Sequence, residues 1–271
     1  MKLAFSTLGC PQWSFERAVE AAQQYGYQGL ELRLIDGELI QAPMEPAQQE
    51  RIRRVAGQAG ISIVGLGSSA RLSSPDPAER RRNEQVLFDF LALARRLDCP
   101  LVRVFGGNLP AGVPVEEVYA YMAESLRRVA EAARSEGAKV ALETHDDFST
   151  GYAVAQVLQR VPDPEIGAIW DAHHPYRMGE SPQETARYLN GRILHVHIKD
   201  ARRTDGGWQL VLLGQGEVPV REMLAELRRL GYQGWYCAEW EKKWHPEIEE
   251  PEVALPQHAE VLRAWLARET V

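Results

Sequence analysis

The 271-residue sequence predicts an α/β fold, a single (β/α)8 TIM barrel domain that spans residues 1–271. Eight short apolar segments alternate with longer amphipathic segments, as expected for strands that are each followed by a helix. The length lies near the ~250 residues typical of one such barrel. No Gly/Ser-rich linker or shift in composition divides the chain. The glycine-rich signature of open doubly wound sheets is missing.

The first half of the chain supplies four predicted strand–helix units. Ser14 suits the N-cap of the first helix, and Gly26 and Gly60 suit positions just after helix ends. Prolines and early acidic residues mark the starts of the third and fourth helices. The predicted strands are residues 3–7, 29–33, 61–66 and 101–105, and the predicted helices cover about 14–25, 46–59, 77–97 and 114–137.

The second half supplies four more units and one excursion. Residues 181–184 (SPQE) have the form of a capping box. Asp205-Gly206-Gly207 lies within residues 201–216 and predicts a hairpin-like excursion after the seventh strand. The predicted strands are residues 139–143, 166–171, 193–200 and 235–239, and the helices cover about 150–160, a segment from 181, 218–230 and 252–268.

The composition and charge narrow the function classes. Apolar residues make up 45% and charged residues 25% of the chain, which is ordinary for a globular protein. The net charge of −7 disfavours nucleic-acid binding, and no apolar run approaches bilayer length. A strand-like segment begins directly after Met1, so we expect no signal peptide and a cytoplasmic protein. Cys10, Cys99 and Cys237 form no C-x-x-C motif and are interpreted as structural thiols.

The seventh predicted strand carries three chemically active side chains on one face. In residues 193–200 (ILHVHIKD), polar and apolar residues alternate, so His195, His197 and Lys199 point the same way. Burying two imidazoles and an ammonium is costly unless each group has a partner. His197 is therefore a candidate metal ligand, with a hydrogen-bonded core histidine as the alternative.

Carboxylates at the ends of three neighbouring predicted strands favour the metal interpretation. Glu143, Asp171 and Glu239 close the fifth, sixth and eighth strands. The active sites of such barrels lie at the carboxyl ends of the strands, so these acids can converge with His197. Three carboxylates and one imidazole are a hard donor set. We expect one divalent metal ion, with Mn²⁺, Mg²⁺ or Co²⁺ favoured and Zn²⁺ as an alternative.

Four motifs in the second half resemble those of the xylose isomerase-like barrels. They are residues 142–145 (LETH), 171–174 (DAHH), 195–200 (HVHIKD) and 238–241 (AEWE). That superfamily includes sugar and sugar phosphate isomerases, tagatose and psicose epimerases, inosose dehydratases and an apurinic-site endonuclease. The resemblance implies that Glu143, Asp171, His197 and Glu239 bind the metal and that His174 contacts the substrate.

The sequence departs from the endonuclease pattern. The resemblance to that enzyme would require a trinuclear zinc site with histidines from early strands, whereas all seven histidines lie in the second half. One metal ion and a small sugar or polyol are therefore the expected partners, with no nucleic acid and no membrane. Homo-oligomer formation is compatible with the sequence.

The expected reaction is proton transfer through a metal-stabilised enediolate. The metal would chelate two neighbouring oxygens of a sugar or sugar phosphate, and Glu143 and Glu239 would remove and return a proton. This predicts an isomerase or epimerase. An inosose-type dehydratase with the same metal site and a non-catalytic sugar-binding barrel are the alternatives.

Further polar residues are candidate substrate contacts. Lys199 either polarises the substrate or pairs with a carboxylate, and His145 either binds substrate or orients a ligand. Glu31 and Arg33 on the second predicted strand and Arg103 on the fourth either line the pocket or form a buried Glu–Arg pair. His258 is predicted to lie on the surface.

Overall fold

Eight parallel strands close into a barrel in the computed structural model, which describes residues 2–268. The barrel strands are hydrogen-bonded in the order β1-β2-β5-β6-β7-β8-β9-β12, and β12 pairs with β1, which confirms the predicted fold class. In chain order, the strands are β1 Leu3–Ser6, β2 Gly29–Leu32, β3 Leu34–Ile35, β4 Glu38–Leu39, β5 Ser62–Arg71, β6 Leu101–Phe105, β7 Lys139–Glu143, β8 Ile166–Asp171, β9 Ile193–Ile198, β10 Asp200–Thr204, β11 Gly207–Val211 and β12 Tyr236–Ala238.

Helices connect successive barrel strands and cover the outside of the barrel. The Ser14 hydroxyl accepts a hydrogen bond from Arg17 N, and Ser181 and Glu184 form the predicted capping box. In the described part of the chain, no helix is long and apolar enough to cross a bilayer. The helices are α1 Phe15–Tyr25, α2 Pro46–Ala59, α3 Pro77–Arg96, α4 Val115–Glu136, α5 Gly151–Leu158, α6 His173–Arg177, α7 Pro182–Leu189, α8 Val220–Arg229 and α9 Pro251–Arg268.

Several predicted boundaries differ from the structure by one or two residues, and one strand end differs by five. β5 continues five residues past the predicted end at residue 66, because Gly67 and Arg71 still pair with β6. The seventh barrel strand ends at Ile198, and the chain then forms the predicted hairpin, β10 paired antiparallel with β11. The Asp200 carboxylate anchors the return of this hairpin, since it accepts hydrogen bonds from the amides of Gly214 and Gly216.

The prediction of a surface position for His258 is wrong. Its side chain on α9 is fully buried and its ring lies 5.3 Å from the ring of Trp240. His258 Nδ1 lies 2.6 Å from the Ala254 carbonyl, to which it donates one helical turn away. Burial lowers the pKa of His258 to about 4, so the ring is neutral and serves as part of the core.

Candidate metal centre

The structure brings the four predicted metal ligands together. The candidate donor atoms of Glu143, Asp171, His197 and Glu239 all lie within 4.8 Å of one another. Each of the four residues is at most 3% exposed. We refer to these residues as the four-donor cluster.

Strand register explains why these side chains meet. Asp171 on β8 and Cys237 on β12 both pair with His197 on β9. Glu143 is the last residue of β7 and pairs with Ile169, two residues before Asp171. The chain contributes Glu239 directly after β12, where its amide donates to Ile198 O at 3.0 Å. The donors therefore come from adjacent positions at the carboxyl end of the barrel.

His197 is held between carboxylates on both sides of its ring. Nδ1 lies 2.7 Å from Glu143 Oε1 and 3.3 Å from Glu239 Oε1, while Nε2 lies 2.8 Å from Glu31 Oε2. Burial opposes a charge on the ring, but the three carboxylates outweigh it and hold the pKa of His197 well above its usual range. Glu31 thus fixes the Nε2 proton and leaves Nδ1 directed at the four-donor cluster.

Glu31 occupies a different position from the one expected. Its carboxylate lies beneath His197 in the barrel interior, 1% exposed, and its contacts are His197 and, at 3.4 Å, His195 Nε2. The predicted alternative of a Glu31–Arg pair is therefore wrong within the described residues. Glu31, His195, His197 and Cys237 form a second, deeper group of potential ligand atoms.

The Lys199 ammonium lies among the carboxylates of the four-donor cluster. Nζ is 2.9 Å from Asp171 Oδ2 and 2.6 Å from Glu239 Oε2, and it also bonds to Glu241. These acids outweigh the effect of burial and raise the pKa of Lys199 well above its usual value. Of the two sequence interpretations, the structure shows carboxylate pairing. The sequence provided no role for Glu241, although its spacing of two residues from Glu239 places it on the same face.

Arg103 supplies a second cation beside the glutamates. Nη1 lies 3.3 Å from Glu143 Oε2 and 3.8 Å from Glu239 Oε1, and the guanidinium lies 4.2 Å from the ring centre of Phe105. His197 and Arg103 lower the pKa of Glu143 despite burial, whereas burial raises the pKa of Glu239. The two glutamates therefore differ in their tendency to carry a proton.

Two further histidines adjoin the cluster. The His145 and His174 rings lie 4.5 Å apart, and His145 Nδ1 lies 2.9 Å from Asp146 Oδ1. Arg177 Nε donates to His174 Nδ1 at 3.0 Å, and burial holds the pKa of His174 well below its usual range. His174 is consequently neutral, with its proton on Nε2, which has no hydrogen-bond partner among the described residues.

The donors fit a divalent cation. Glu143 Oε2 and Asp171 Oδ2 are buried and accept no well-aligned hydrogen bond, although Arg103 and Lys199 lie within ion-pair distance of them. Backbone amides of His173 and His174 hold the other Asp171 oxygen, at 2.8 and 3.1 Å. The three buried carboxylates need cationic partners. Together with the His197 imidazole, they form a suitable site for a hard metal ion.

Comparison with known proteins agrees with the barrel fold. The model of the xylose isomerase-like TIM barrel family matches residues 19–265. The chain belongs to this family. Within it, fructoselysine 3-epimerase of Escherichia coli O157:H7 is 22% identical over 98% of both chains. Inosose dehydratase of Bacillus licheniformis is 27% identical over 56% of this chain and 55% of its own.

A solved structure of the IOLI protein with a bound zinc atom shares the fold. It has a TM-score of 0.83 at 16% identity and covers 99% of both chains. The predicted enzyme class, isomerase or epimerase, agrees with the names of several family relatives.

Proposed function

We propose that this protein is a divalent-metal-dependent sugar isomerase or epimerase in which Glu143 and Glu239 move a proton. The observation that carries the proposal is the four-donor cluster, in which two of the donors, Glu143 and Glu239, are glutamates from different strands. β8 and β9 separate β7 from β12 in the barrel, so the two glutamates approach from different directions. Such an arrangement supports removal of a proton at one face of a substrate carbon and its return at another face or atom.

Glu143, Asp171, His197 and Glu239 would hold the ion, for which Mn²⁺, Mg²⁺, Co²⁺ and Zn²⁺ are candidates. When bound, a divalent ion stabilises the negative charge that develops on substrate oxygens as an adjacent C–H proton leaves. Despite burial, His197 and Arg103 lower the pKa of Glu143 and keep it ionised, so its carboxylate is available to accept that proton. The free Nε2–H of His174 is suited to donate to a substrate hydroxyl, and His145 lies beside it. Lys199 remains a candidate substrate contact, because a metal ion bound to Asp171 and Glu239 would neutralise the carboxylates that otherwise pair with its ammonium.

An inosose-type dehydratase is the second candidate, supported by the inosose dehydratase relative and by His145. Burial lowers the pKa of His145, but the hydrogen bond to Asp146 and the charge of Glu143 together outweigh burial and raise that pKa. The His145 side chain is 32% exposed. A protonated imidazole there could supply the proton that a departing β-hydroxyl needs to leave as water.

Metal-loaded protein incubated in D₂O with ketoses, sugar phosphates and inososes tests both candidates. An isomerase or epimerase incorporates solvent deuterium at the carbon next to the carbonyl and retains every oxygen. A dehydratase releases water and forms an unsaturated product. If no probe exchanges a proton or loses water while the metal is bound, both catalytic proposals are wrong, and the sugar-binding alternative is favoured.

A further inference from the structure

Arg33 lies directly after β2, at the same end of the barrel as the four-donor cluster. The residue is only 7% exposed. Glu143, Glu31 and Glu239 are close enough to influence its ionisation, as is Arg103. Burial and Arg103 lower the pKa of Arg33 to about 10, so the guanidinium remains charged at neutral pH.

This cation has no acidic partner within the described residues. Its Nη1 donates to Gly67 O at 2.7 Å and to Ser69 Oγ at 2.9 Å, both neutral acceptors on β5. No carboxylate oxygen of residues 2–268 forms an ion pair with it. Buried charged groups in proteins are normally paired, because an isolated charge is costly to remove from water.

The orientation of the guanidinium leaves one edge available. Nη1 is occupied, whereas Nε and Nη2 donate to no acceptor in the described chain and are not sealed from solvent. The Nε–Nη2 edge of arginine presents two parallel donors that match the two oxygens of a carboxylate. Arg33 therefore presents an open fork rather than a buried structural contact alone.

Gly67 keeps Arg33 and Arg103 side by side. A Cβ at position 67 would lie 3.0 Å from Arg33 Cδ and 3.3 Å from Arg103 Nη2, so any other residue there would require at least one of the two arginine side chains to shift. Glu143 and Glu239 form ion pairs with Arg103 but not with Arg33. The positive charge of Arg33 is therefore one that an external anion could neutralise.

We infer that Arg33 binds a carboxylate group of the substrate, so that the protein acts on a sugar acid or hydroxy-keto acid rather than a neutral sugar. The inference rests on the proposed function and specifies its substrate class. The hydroxyl or keto oxygens would face the four-donor cluster, and the carboxylate would lie toward β2 and β5. A carboxylate is favoured over a phosphate because Arg33 offers a single two-donor fork, whereas the adjacent Arg103 already pairs with Glu143 and Glu239.

Matched four-carbon probes test the inference on Mn²⁺-loaded protein. Binding of D-erythronate, erythritol and erythritol 4-phosphate is measured by calorimetry on the wild type and on R33Q, R33K and R71Q. Arg71 is the control, because R71Q removes the same charge from a side chain that is 60% exposed. Metal content and circular dichroism are measured on each variant first.

We expect the wild type and R71Q to bind erythronate at least about tenfold more tightly than erythritol. R33Q should lose that preference and keep its affinity for erythritol, and R33K should retain part of it through charge alone. If R33Q cannot fold, the R33K result decides, and an unchanged erythronate preference in R33K contradicts the fork.

Three outcomes overturn the inference. Equal binding of erythronate and erythritol by the wild type removes the carboxylate preference. Retention of that preference in R33Q assigns it to the metal instead of Arg33. An Arg33-dependent preference for the phosphate contradicts the carboxylate assignment. In each case the metal-loaded protein still binds a polyol, and the proposed function stands. Failure to bind each of Mn²⁺, Mg²⁺, Co²⁺ and Zn²⁺ overturns the proposed function itself.

Discussion

The two halves of the barrel rim carry opposite charge. The half formed by β7, β8, β9 and β12 contributes the four-donor cluster, whereas the half formed by β2, β5 and β6 contributes Arg33 and Arg103. In the acidic half, the Lys199 ammonium and the charged His197 ring lie among three buried carboxylates, and Arg103 on β6 pairs with two of them. In the basic half, Glu31 on β2 pairs with the histidines of β9, and Arg33 forms no ion pair with any acid of residues 2–268. The difference indicates that one half is built to hold a cation and the other to receive an anion.

The largest expected effect comes from Glu143 in the acidic half. E143Q removes a metal donor and the proposed base, so we expect proton exchange to fall by about 10³-fold or more and metal content to decrease. Deuterium incorporation and elemental analysis measure the two effects. E165Q, the same change at the amino end of the barrel, should retain both. Full activity and full metal content in E143Q would falsify the assignment.

Lys199 tests whether an internal cation stands in for the metal. Removal of its ammonium in K199M takes away the cation that Asp171 and Glu239 share, which should destabilise metal-free protein by about 3–5 kcal/mol. Metal binding should recover much of this loss, because the ion neutralises the same carboxylates. Denaturant unfolding with and without Mn²⁺ measures the difference. The exposed residue Lys139 supplies the control, K139M, and equal losses in both metal states would contradict the interpretation.

Substitution of Glu31 tests whether its carboxylate orients the His197 ring. E31Q replaces the carboxylate that faces His197 Nε2 at 2.8 Å and should weaken metal binding about 10- to 100-fold. Metal titration measures the affinity, and histidine ¹⁵N chemical shifts report the position of the proton on His197. An unaltered affinity and tautomer would show that Glu31 does not orient the ligand. E38Q changes an exposed glutamate on β4 and should leave both unaltered.

The smallest expected effect lies outside the rim, at His258. Its pKa is depressed to about 4 in the folded state, against about 6.5 when unfolded, so the unfolded chain binds more protons between these values. Stability should therefore fall as the pH decreases from 6.5 to 4, by up to about 1.4 kcal/mol per pH unit from this group. H258Q should flatten this part of the stability–pH profile measured by thermal unfolding. H245Q, which changes a histidine whose side chain is 43% exposed, should leave the profile unaltered.

The sequence predicts the acidic half of the rim better than the basic half. Glu143, Asp171 and Glu239 close recognisable strands, and the alternation in β9 places His197 in the barrel, so their convergence follows from topology alone. Whether Lys199 meets substrate or carboxylates depends on side-chain distances that alternation does not specify. Glu31 lies at a strand end as well, but its position beneath His197 depends on the room left at Gly65, where a Cβ would lie 3.3 Å from Glu31 Cγ.

Other features required the packed structure. The sequence marks Arg33 as a candidate for the pocket lining or for a buried Glu–Arg pair, and only the packed structure shows that no acid of residues 2–268 forms an ion pair with it. His258 lies in a helix between polar and apolar residues, and its burial depends on contact with Trp240, 18 positions earlier. The end of β5 also depends on the packed structure, since the strand extends past residue 66 only because β6 is available to pair with it.

Equilibrium binding of Mn²⁺ to metal-free protein tests the central claim most directly. Electron paramagnetic resonance counts the bound ions, and D171N removes one cluster donor without altering Glu143 or Glu239. We predict one tightly bound ion per chain in the wild type and a large loss of affinity in D171N. Absence of a stoichiometric site, or a site that D171N leaves unchanged, would contradict the assignment of the four-donor cluster as a metal centre.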